Sequence, residues 1–364
     1  MTQSGGGSIH NRAESGRPLR AAIIGTARVG SWYDDLLAAA PEQIPSSHAA
    51  CYRAHPRTQL VAGCDLNPER LQLFGKRWGV TALYADFREM LARENLDVVS
   101  VTTSWGHDHA AILPEVAKSS VRGIFAEKPI ATSMAEANEI VRLVEASRVA
   151  FVCAYYRRWN PRYHALKKLI DEGAVGKLVS VTGIGIGNLM HAGTHYADIM
   201  AYLAGEPEPA WAWGRIEAVP PEATSPTAKV DPVGSGYVEH ANGVRFFLEG
   251  PSGGAVSFVV SGTAGQLVVM NDARDAELWR RPPATAGRWS EREVLAQPPQ
   301  TRSPVLLALE DLVASIDSGR PTACDSRRAA RAMEYCLALH ASHRRGGTRV
   351  DFPLEDQQIS VDTW

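Results

Sequence analysis

The chain has 364 residues, 45% of them apolar and 21% charged, with a formal net charge of −2. That is enough chain for two domains, each with its own core, and so small a charge argues against nucleic acid or an anionic membrane as principal partner. The five cysteines (Cys51, Cys64, Cys153, Cys324 and Cys336) are scattered with no C-x-x-C spacing, which fits a reduced cytoplasm with neither a disulfide framework nor a zinc ribbon.

The first 18 residues are polar and rich in Gly and Ser, and read as a disordered tail. No apolar run reaches the roughly 18 residues that span a bilayer. From Leu19 to Tyr156, apolar β-rich runs at 20–25, 59–65, 97–103, 122–127 and 150–156 alternate with helical patterns at 67–78, 86–94, 108–119 and 133–147. This alternation predicts an α/β domain over 19–156, a doubly wound parallel sheet with crossover helices. Ser133-Met-Ala-Glu136 has the form of a capping box and marks a helix start.

After Asn160-Pro161 the pattern changes. A helix over 161–172 ends at Gly173, and β-type runs follow at 177–187, 209–218, 237–250, 255–261 and 265–270. Gly234-Ser-Gly236 and Pro251-Ser-Gly-Gly254 read as hairpin turns, and the Pro- and Ala-rich stretch 218–235 as a surface loop. Helical segments at 303–317 and 325–344 precede the tail Val350-Asp-Phe-Pro353. The region 157–364 is therefore expected to be an α+β domain with a large, mainly antiparallel sheet.

The first strand runs into Gly25-Thr-Ala27-Arg28-Val29-Gly30. In a dinucleotide-binding turn, glycines allow a tight bend and let backbone N–H groups approach a pyrophosphate. Here Gly25 and Gly30 keep the outer spacing, while Ala27 adds a methyl at the middle position. The second strand ends in Asp65, as needed to bind the ribose hydroxyls of NAD, and its charge would repel the extra phosphate of NADP. The competing reading makes Asp65 the cap of the helix beginning near Pro68. Asp65 also lies farther from Gly25 than the usual fingerprint spacing, so Ser31–Ser47 is expected to be an insertion at the mouth of the site, from which Trp32, Tyr33 and His48 could reach a ligand. The Arg28 and Arg70 side chains read as surface groups.

The strand Arg122-Gly-Ile-Phe-Ala ends abruptly in Glu127-Lys128-Pro129. Ligands in open α/β sheets sit at such carboxyl ends, and burial beside a nicotinamide would lower the pKa of Lys128 towards the range of a general acid or base. A structural Glu127–Lys128 pair is the competing reading. His109 follows the fourth strand and could equally be a satisfied core residue. His191-Ala-Gly-Thr-His195 would place two histidines on one helical face, as for two metal ligands. Ala192 stands where a zincin glutamate would, Gly193 argues against a full helical turn, and no third ligand is evident. A hydrogen-bonded histidine pair gripping a substrate hydroxyl is the preferred reading, with no metal. A serine-hydrolase elbow is absent, and the short Tyr155-Tyr156-Arg157-Arg158-Trp159-Asn160 cluster suits a domain junction better than a nucleic-acid patch.

Taken in order, Ile24-Gly25 through Gly30, Val61 through Asp65 and on to Arg70, Glu127-Lys128-Pro129, Arg158-Trp-Asn-Pro161, Gly193-Thr-His195-Tyr-Ala-Asp198 and Ala341 through Pro353 resemble the Gfo/Idh/MocA oxidoreductases (glucose–fructose oxidoreductase, inositol dehydrogenase and their relatives) over nearly the whole chain. The resemblance implies a Rossmann domain, a second domain whose open sheet builds homodimers or homotetramers, bound NAD, and sugars, cyclitols or their derivatives as substrates. It maps the proton-transferring lysine to Lys128 and its histidine partner to His195, and it puts His191 where an Asp is common. It places the cofactor among Gly25, Ala27, Arg28, Val29, Gly30, Asp65, Thr103, Trp105, His109, Glu127, Lys128 and Arg158. Tyr156 and Arg158 would wall the substrate cleft, with His191 and Trp105 setting which sugar fits. The expected reaction is hydride transfer between a secondary hydroxyl and the nicotinamide. Two alternatives use the same scaffold: a cofactor-recycling glycoside lyase or hydrolase working through transient oxidation, and a non-catalytic cofactor sensor.

Overall fold

The computed structural model describes residues 17–37, 39–217, 231–250, 255–281 and 290–363. The first domain holds strands β1 (Leu19–Ile24), β2 (Thr58–Cys64), β3 (Ala82–Tyr84), β4 (Val98–Val101), β5 (Gly123–Ala126) and β6 (Ala150–Cys153). All pair in parallel in the order β3-β2-β1-β4-β5-β6. That is the doubly wound order, with its ligand crevice where β1 and β4 diverge. β4 and β5 are buried along their whole length, as expected when helices cover both faces of a parallel sheet.

Its helices are α1 (Arg28–Ser31), α2 (His48–Ala54), α3 (Pro68–Trp78), α4 (Phe87–Arg93), α5 (Gly106–Lys118) and α6 (Met134–Ser147). Local chemistry sets their starts: Asn67 and Asp86 cap α3 and α4, and Ser133 and Glu136 form the expected capping box of α6. β3 escapes the sequence reading because it is only three residues long and half-buried. The helix after the nucleotide turn lasts only four residues, and two short 3₁₀ turns (Tyr33–Leu37 and Pro41–Gln43) fill the insertion before α2. Asp34 holds that segment together by accepting from the Ser46 and Ser47 N–H groups (2.7 and 3.0 Å), while Arg77 of α3 grips Asp35.

In the second domain, α7 (Pro161–Asp171) leads to β7 (Leu178–Ile184), a single π-helical turn over Leu189–Gly193, and α8 (Thr194–Ala204). Then come β8 (Pro209–Ile216), β9 (Gly234–His240), β10 (Arg245–Glu249), β11 (Ser257–Gly262), β12 (Gly265–Met270), β13 (Asp275–Arg280), β14 (Glu291–Val294), α9 (Pro304–Ser318), α10 (Ser326–Arg344) and β15 (Val350–Asp351). The nine strands run in the order β14-β13-β12-β11-β7-β10-β9-β8-β15, antiparallel except where β10 meets β7. Residues of β9 alternate between buried and half-buried, so one face of the sheet carries core and the other is open. Helices α8 and α10 cover the buried face.

Two sequence expectations fail here for local reasons. The single run 237–250 is two strands, because Asn242-Gly243 turns the chain, with Gly243 at φ +80° and Asn242 Oδ1 accepting the Val244 N–H. Gly234-Ser-Gly236 is strand rather than turn. A Cβ on Gly236 would lie 2.4 Å from Leu339 Cδ2, so the residue serves close packing against α10. The expected turn at 251–254, the loop over 218–230 and the tail over 1–16 lie outside the described residues.

The carboxyl-terminal segment returns to the first domain. Thr322 Oγ donates to Phe151 O (2.6 Å), Cys153 N–H to Cys324 O (2.9 Å), and Val361 N–H to Thr132 O (3.0 Å). Among the described residues no helix is long and apolar enough to cross a membrane.

Candidate active site

A cavity of about 570 Å³ opens at the carboxyl ends of β1, β4 and β5. On the nucleotide side it is lined by Ala27, Arg28, Val29 and Tyr33, and at the end of β4 by Thr102, Thr103 and Ser104. Glu127 and Lys128 line it at the end of β5, and Tyr156, Arg157, His191 and His195 complete that part of the wall.

The turn after β1 is held shut by the strand beside it. Gly25 has φ +95°, and a Cβ there would sit 2.6 Å from Thr103 N, so only glycine fits. Thr102 Oγ donates to Gly25 O (2.7 Å). Ala27 adopts an extended backbone (φ −94°, ψ 173°) and reaches the cavity wall, so its methyl is accommodated without a left-handed angle. Neither Gly25 nor Gly30 lines the cavity; both shape the turn behind it.

Asp65 is placed at the end of β2 as expected, yet it does not line the cavity. Its carboxylate accepts the Thr26 N–H (2.8 Å) and Oγ–H (3.0 Å), and the Asn67 N–H (2.9 Å). The helix cap is Asn67 instead. Asp65 thus ties the nucleotide turn to β2. A carboxylate has about four acceptor sites, which leaves capacity for a ribose hydroxyl.

Lys128 is half-buried at the end of β5. Its Nζ lies 3.2 Å from His191 Nδ1 and donates to His191 O at 3.2 Å. Burial lowers its pKa below that of an ordinary lysine, against the opposing pull of Glu127. His195, in the first turn of α8, packs edge-on against Tyr155 with ring centroids 5.3 Å apart. Burial, reinforced by the Lys128 and Arg157 charges, drives its pKa well below the usual imidazole value.

The π-helical turn that carries His191 runs without a break into α8, and Gly193 itself has helical angles (φ −60°, ψ −34°). The expectation that Gly193 interrupts the helix is therefore corrected. Such π turns are frequent at functional sites. Asp231 pins this one by accepting the Met190 N–H (2.9 Å) and His191 N–H (2.6 Å), and it also takes Thr363 Oγ–H (2.8 Å).

Glu127, beside Lys128 on the cavity wall, is largely buried. Despite burial, which pushes it up, bonds and charge from His48 and the charge of Lys128 hold its carboxyl below the usual range. Tyr156 donates its hydroxyl to the same Glu127 oxygen. His48 is fully buried beneath the site, with Nδ1 2.9 Å from Ser100 Oγ and Nε2 3.4 Å from Glu127. It cannot reach a ligand, in contrast to the expectation for the insertion; Tyr33 does line the cavity and Trp32 does not.

Three further expected site residues lie outside the cavity lining. Arg158 is 3% exposed and donates to both carboxylate oxygens of Asp198 (2.8 and 2.9 Å), to Glu206 (2.6 Å) and to Ala323 O (3.1 Å). It locks the short 3₁₀ turn Tyr156–Trp159 to α8 and does not line the cavity. His109 is buried with its two ring nitrogens against Pro129 O (2.6 Å) and Thr103 O (2.9 Å), so it sits in the core rather than on the cavity, and a neutral ring donates to only one of the two carbonyls. Trp105 precedes α5 and lies beside His107 rather than in the cavity. Among the described residues no group of three His, Cys, Asp or Glu is arranged to hold a metal.

Sequence reasoning missed Asn160, Arg162, Asp272, Arg274 and Gln300, all on the cavity wall. Arg157 binds Asp272 through Nε (2.8 Å) and Nη2 (3.1 Å), and Tyr163 donates to it at 2.7 Å. No local motif marks Asp272, because the tertiary fold alone brings the turn between β12 and β13 to the site.

Thr103 Oγ is buried at the cavity edge with no hydrogen-bond partner, beside the Ala27–Val29 backbone and the Asp65-tethered turn. An orphaned polar atom in that position fits a cofactor that would satisfy it.

Residues 19–155 match the family described as "Oxidoreductase family, NAD-binding Rossmann fold". The D-apiose dehydrogenase of Paraburkholderia graminis is 31% identical over 130 residues, 36% of this chain and 34% of that protein. The myo-inositol 2-dehydrogenase of Thermotoga maritima is 24% identical over 159 residues, 44% of this chain and 42% of that one. The chain thus spans less than half the length of these relatives. Levoglucosan dehydrogenase, solved with NADH and levoglucosan, shares the fold at a TM-score of 0.75 and 19% identity, covering 93% of this chain and 100% of that one. Residues 19–155 are thus similar to the NAD-binding Rossmann domain of the Gfo/Idh/MocA oxidoreductases, and the strand order of the first sheet is that of a doubly wound dinucleotide-binding fold.

Proposed function

We propose that this protein is an NAD-dependent dehydrogenase that oxidises a secondary hydroxyl of a sugar, a cyclitol or a derivative of one. The observation that carries this is Lys128: a lysine at the carboxyl end of β5, with its pKa lowered by burial, in a cavity shared with the nucleotide turn and two histidines. The names of the relatives, which act on D-apiose and myo-inositol, support a polyhydroxylated substrate.

The Ala27–Val29 backbone, Thr103 Oγ and the remaining acceptor capacity of Asp65 would hold NAD, which when bound supplies the hydride acceptor. The chain's own residues handle the proton. Lys128 Nζ takes it from the substrate hydroxyl, and His191 Nδ1, 3.2 Å away, accepts a hydrogen bond from the resulting ammonium. His195, kept neutral by burial, orients the same hydroxyl. The Glu127–Tyr156–His48 network fixes the end of β5, where Lys128 stands.

The open face of the nine-stranded sheet carries Trp211, Tyr237 and Phe247, with successive ring centroids 5.0 and 5.2 Å apart, and the exposed Trp213. A second copy of this chain covering that face would give the homodimer or homotetramer that the resemblance implies. Sedimentation at the 39.4 kDa of one chain would count against it.

The test of the reaction is to mix the purified protein with NAD or NADP and a panel of cyclitols, aldoses and glycosides, following reduced nicotinamide and substrate together. Stoichiometric reduction of NAD is expected. Substrate loss without net reduction would replace this reading with cofactor recycling. A Thr103→Val variant should weaken NAD binding by about 5- to 10-fold, the worth of roughly one hydrogen bond.

A further inference from the structure

Lys128 Nζ meets His191 twice, at Nδ1 and at the backbone O, each at 3.2 Å. The N–H of the same residue donates to Asp231 Oδ2 at 2.6 Å, and Met190 N–H donates to Oδ1 at 2.9 Å. His191 therefore stands between a buried acid and the lysine, with its N–H on the one and its carbonyl on the other. Asp231 itself does not line the cavity.

The plain role of Asp231 is that of a helix cap. Asn188, just before the π-helical turn, makes no side-chain cap bond and donates its amide to Asp231 O instead. The carboxylate from the distant segment takes two N–H groups of the first turn in its place. A neutral Ser, Thr or Asn would cap as well, at less cost than burying a carboxyl. What a neutral cap would not bring is charge beside Lys128. Burial lowers the Lys128 pKa, while Glu127, Cys153 and Asp231 pull it back up and Arg157 opposes them. Burial pushes the Cys153 thiol well above its usual range, so it is uncharged near neutral pH. His195 shares the cavity but burial keeps it neutral. Glu127 and Asp231 are thus the anions in this set. Burial raises the pKa of Asp231 in turn, and the Met190 and His191 N–H groups, the Thr363 hydroxyl and the Lys128 charge oppose that rise.

The far end of the chain holds Asp231 in place. Thr363 is buried, and its Oγ–H donates to the same Oδ2 that His191 N–H meets (2.8 Å). Its carbonyl accepts Gly106 N–H (3.1 Å) at the start of α5, and Val361 N–H donates to Thr132 O (3.0 Å), shortly after Lys128 in the chain. The acid is therefore fixed relative to both the lysine's segment and the π-helical turn.

We infer that Asp231 is a positioning residue for Lys128: held by Thr363, it fixes His191 as the lysine's acceptor and supplies from outside the cavity the negative charge that an imidazole at 191 lacks. The inference rests on the dehydrogenase reading for the use that the site makes of Lys128.

The experiment uses the full chain loaded with NAD. The Lys128 pKa is measured without turnover, by acetic anhydride labelling across a series of pH values and mass spectrometry of the Lys128 peptide. Asp231→Asn keeps size and one carbonyl acceptor but removes the charge, and Thr363→Val removes only the hydroxyl. NAD affinity, urea midpoint, kcat and KM are read alongside, with myo-inositol, aldoses and glycosides as probes. Asp231→Asn should lower the Lys128 pKa by about half to one pH unit, less than the shift from a charge in direct contact, because Asp231 acts across His191. The rising limb of kcat/KM should move down with it, and kcat should fall by about 10-fold, the worth of a hydrogen bond to a charged group. Thr363→Val should act in the same direction and less strongly. NAD affinity should hold in both.

A folded Asp231→Asn chain whose Lys128 titrates as in the native protein would overturn the inference, leaving the cap as the whole role of Asp231. If that chain does not fold, Thr363→Val decides, and an unmoved Lys128 overturns the inference equally. Parallel loss of NAD affinity and kcat would also overturn it, as general loosening of the site. NAD reduction by the native chain with Lys128 unmoved in the variants would overturn the inference alone. A shifted Lys128 with no nicotinamide reduced by the native chain would support the positioning role and sink the dehydrogenase reading.

Discussion

Lys128 Nζ lies 3.2 Å from Nδ1 of His191, the residue standing where the resemblance leads one to expect a carboxylate. An imidazole in that place can accept a hydrogen bond, but it brings no negative charge to hold the ammonium protonated. The lysine is therefore left with its pKa lowered by burial.

Replacing Lys128 by Ala should remove a group that acts on the substrate proton but not on the dinucleotide. We expect kcat to fall by about 10²- to 10⁴-fold, the usual span for a positioned acid or base. NAD affinity, read by fluorescence titration, should move little. Equal loss of both would show that Lys128 shapes the cofactor site instead.

Changing His191 to Asp should raise the Lys128 pKa, because an opposite charge within about 4–6 Å favours the charged form by about one to three pH units. If neutral Lys128 takes the proton, the rising limb of kcat/KM against pH should shift upward by that amount. An unmoved limb in H191D would mean that another group sets it.

Arg158 and Asp198 are 3% and 1% exposed in their side chains and paired at 2.8 Å. Taking away one partner of a buried pair leaves an uncompensated charge and costs about 3–5 kcal/mol. Asp198→Ala should destabilise the fold towards that magnitude in urea, tempered by the Glu206 contact that remains. An unchanged midpoint would contradict the structural role given to Arg158.

Acid should destabilise the protein before its carboxylates titrate fully. Burial lowers His240 and His340 from 6.5 to about 4, and His109 and His195 shift in the same direction. Below pH 6.5 the unfolded chain binds protons that the native state refuses. The stability contributed by these neutral imidazoles is therefore complete above 6.5 and is lost as pH falls towards about 4. Each such group contributes a slope of up to about 1.4 kcal/mol per pH unit. Urea unfolding across this window should show the fall, and His340→Leu should make it shallower.

Much of the first domain is legible along the chain because its signals are local. Buried parallel strands are apolar runs, and Asn67, Asp86 and Ser133 announce the helices that follow them. Lys128 is legible for the same reason, since a charged pair ending an apolar strand has few other places to be. The errors have equally local causes. Gly236 resembles a turn residue but is small to admit Leu339, and Asn242-Gly243 hides a hairpin inside one apolar run.

The alternation of strands and helices in the doubly wound half, and the position of Lys128 at a strand end, can be read along the chain, because each depends on neighbouring residues. Only the tertiary structure decided which polar residues face the cavity. Arg158 is held by Asp198 and His109 is buried against backbone carbonyls, both away from the cavity, while Arg162, Asp272 and Arg274 reach it from separate segments. A side chain's partner across more than a hundred residues, as between Arg157 and Asp272, is set by how the sheets and helices pack, and no periodicity or spacing encodes it.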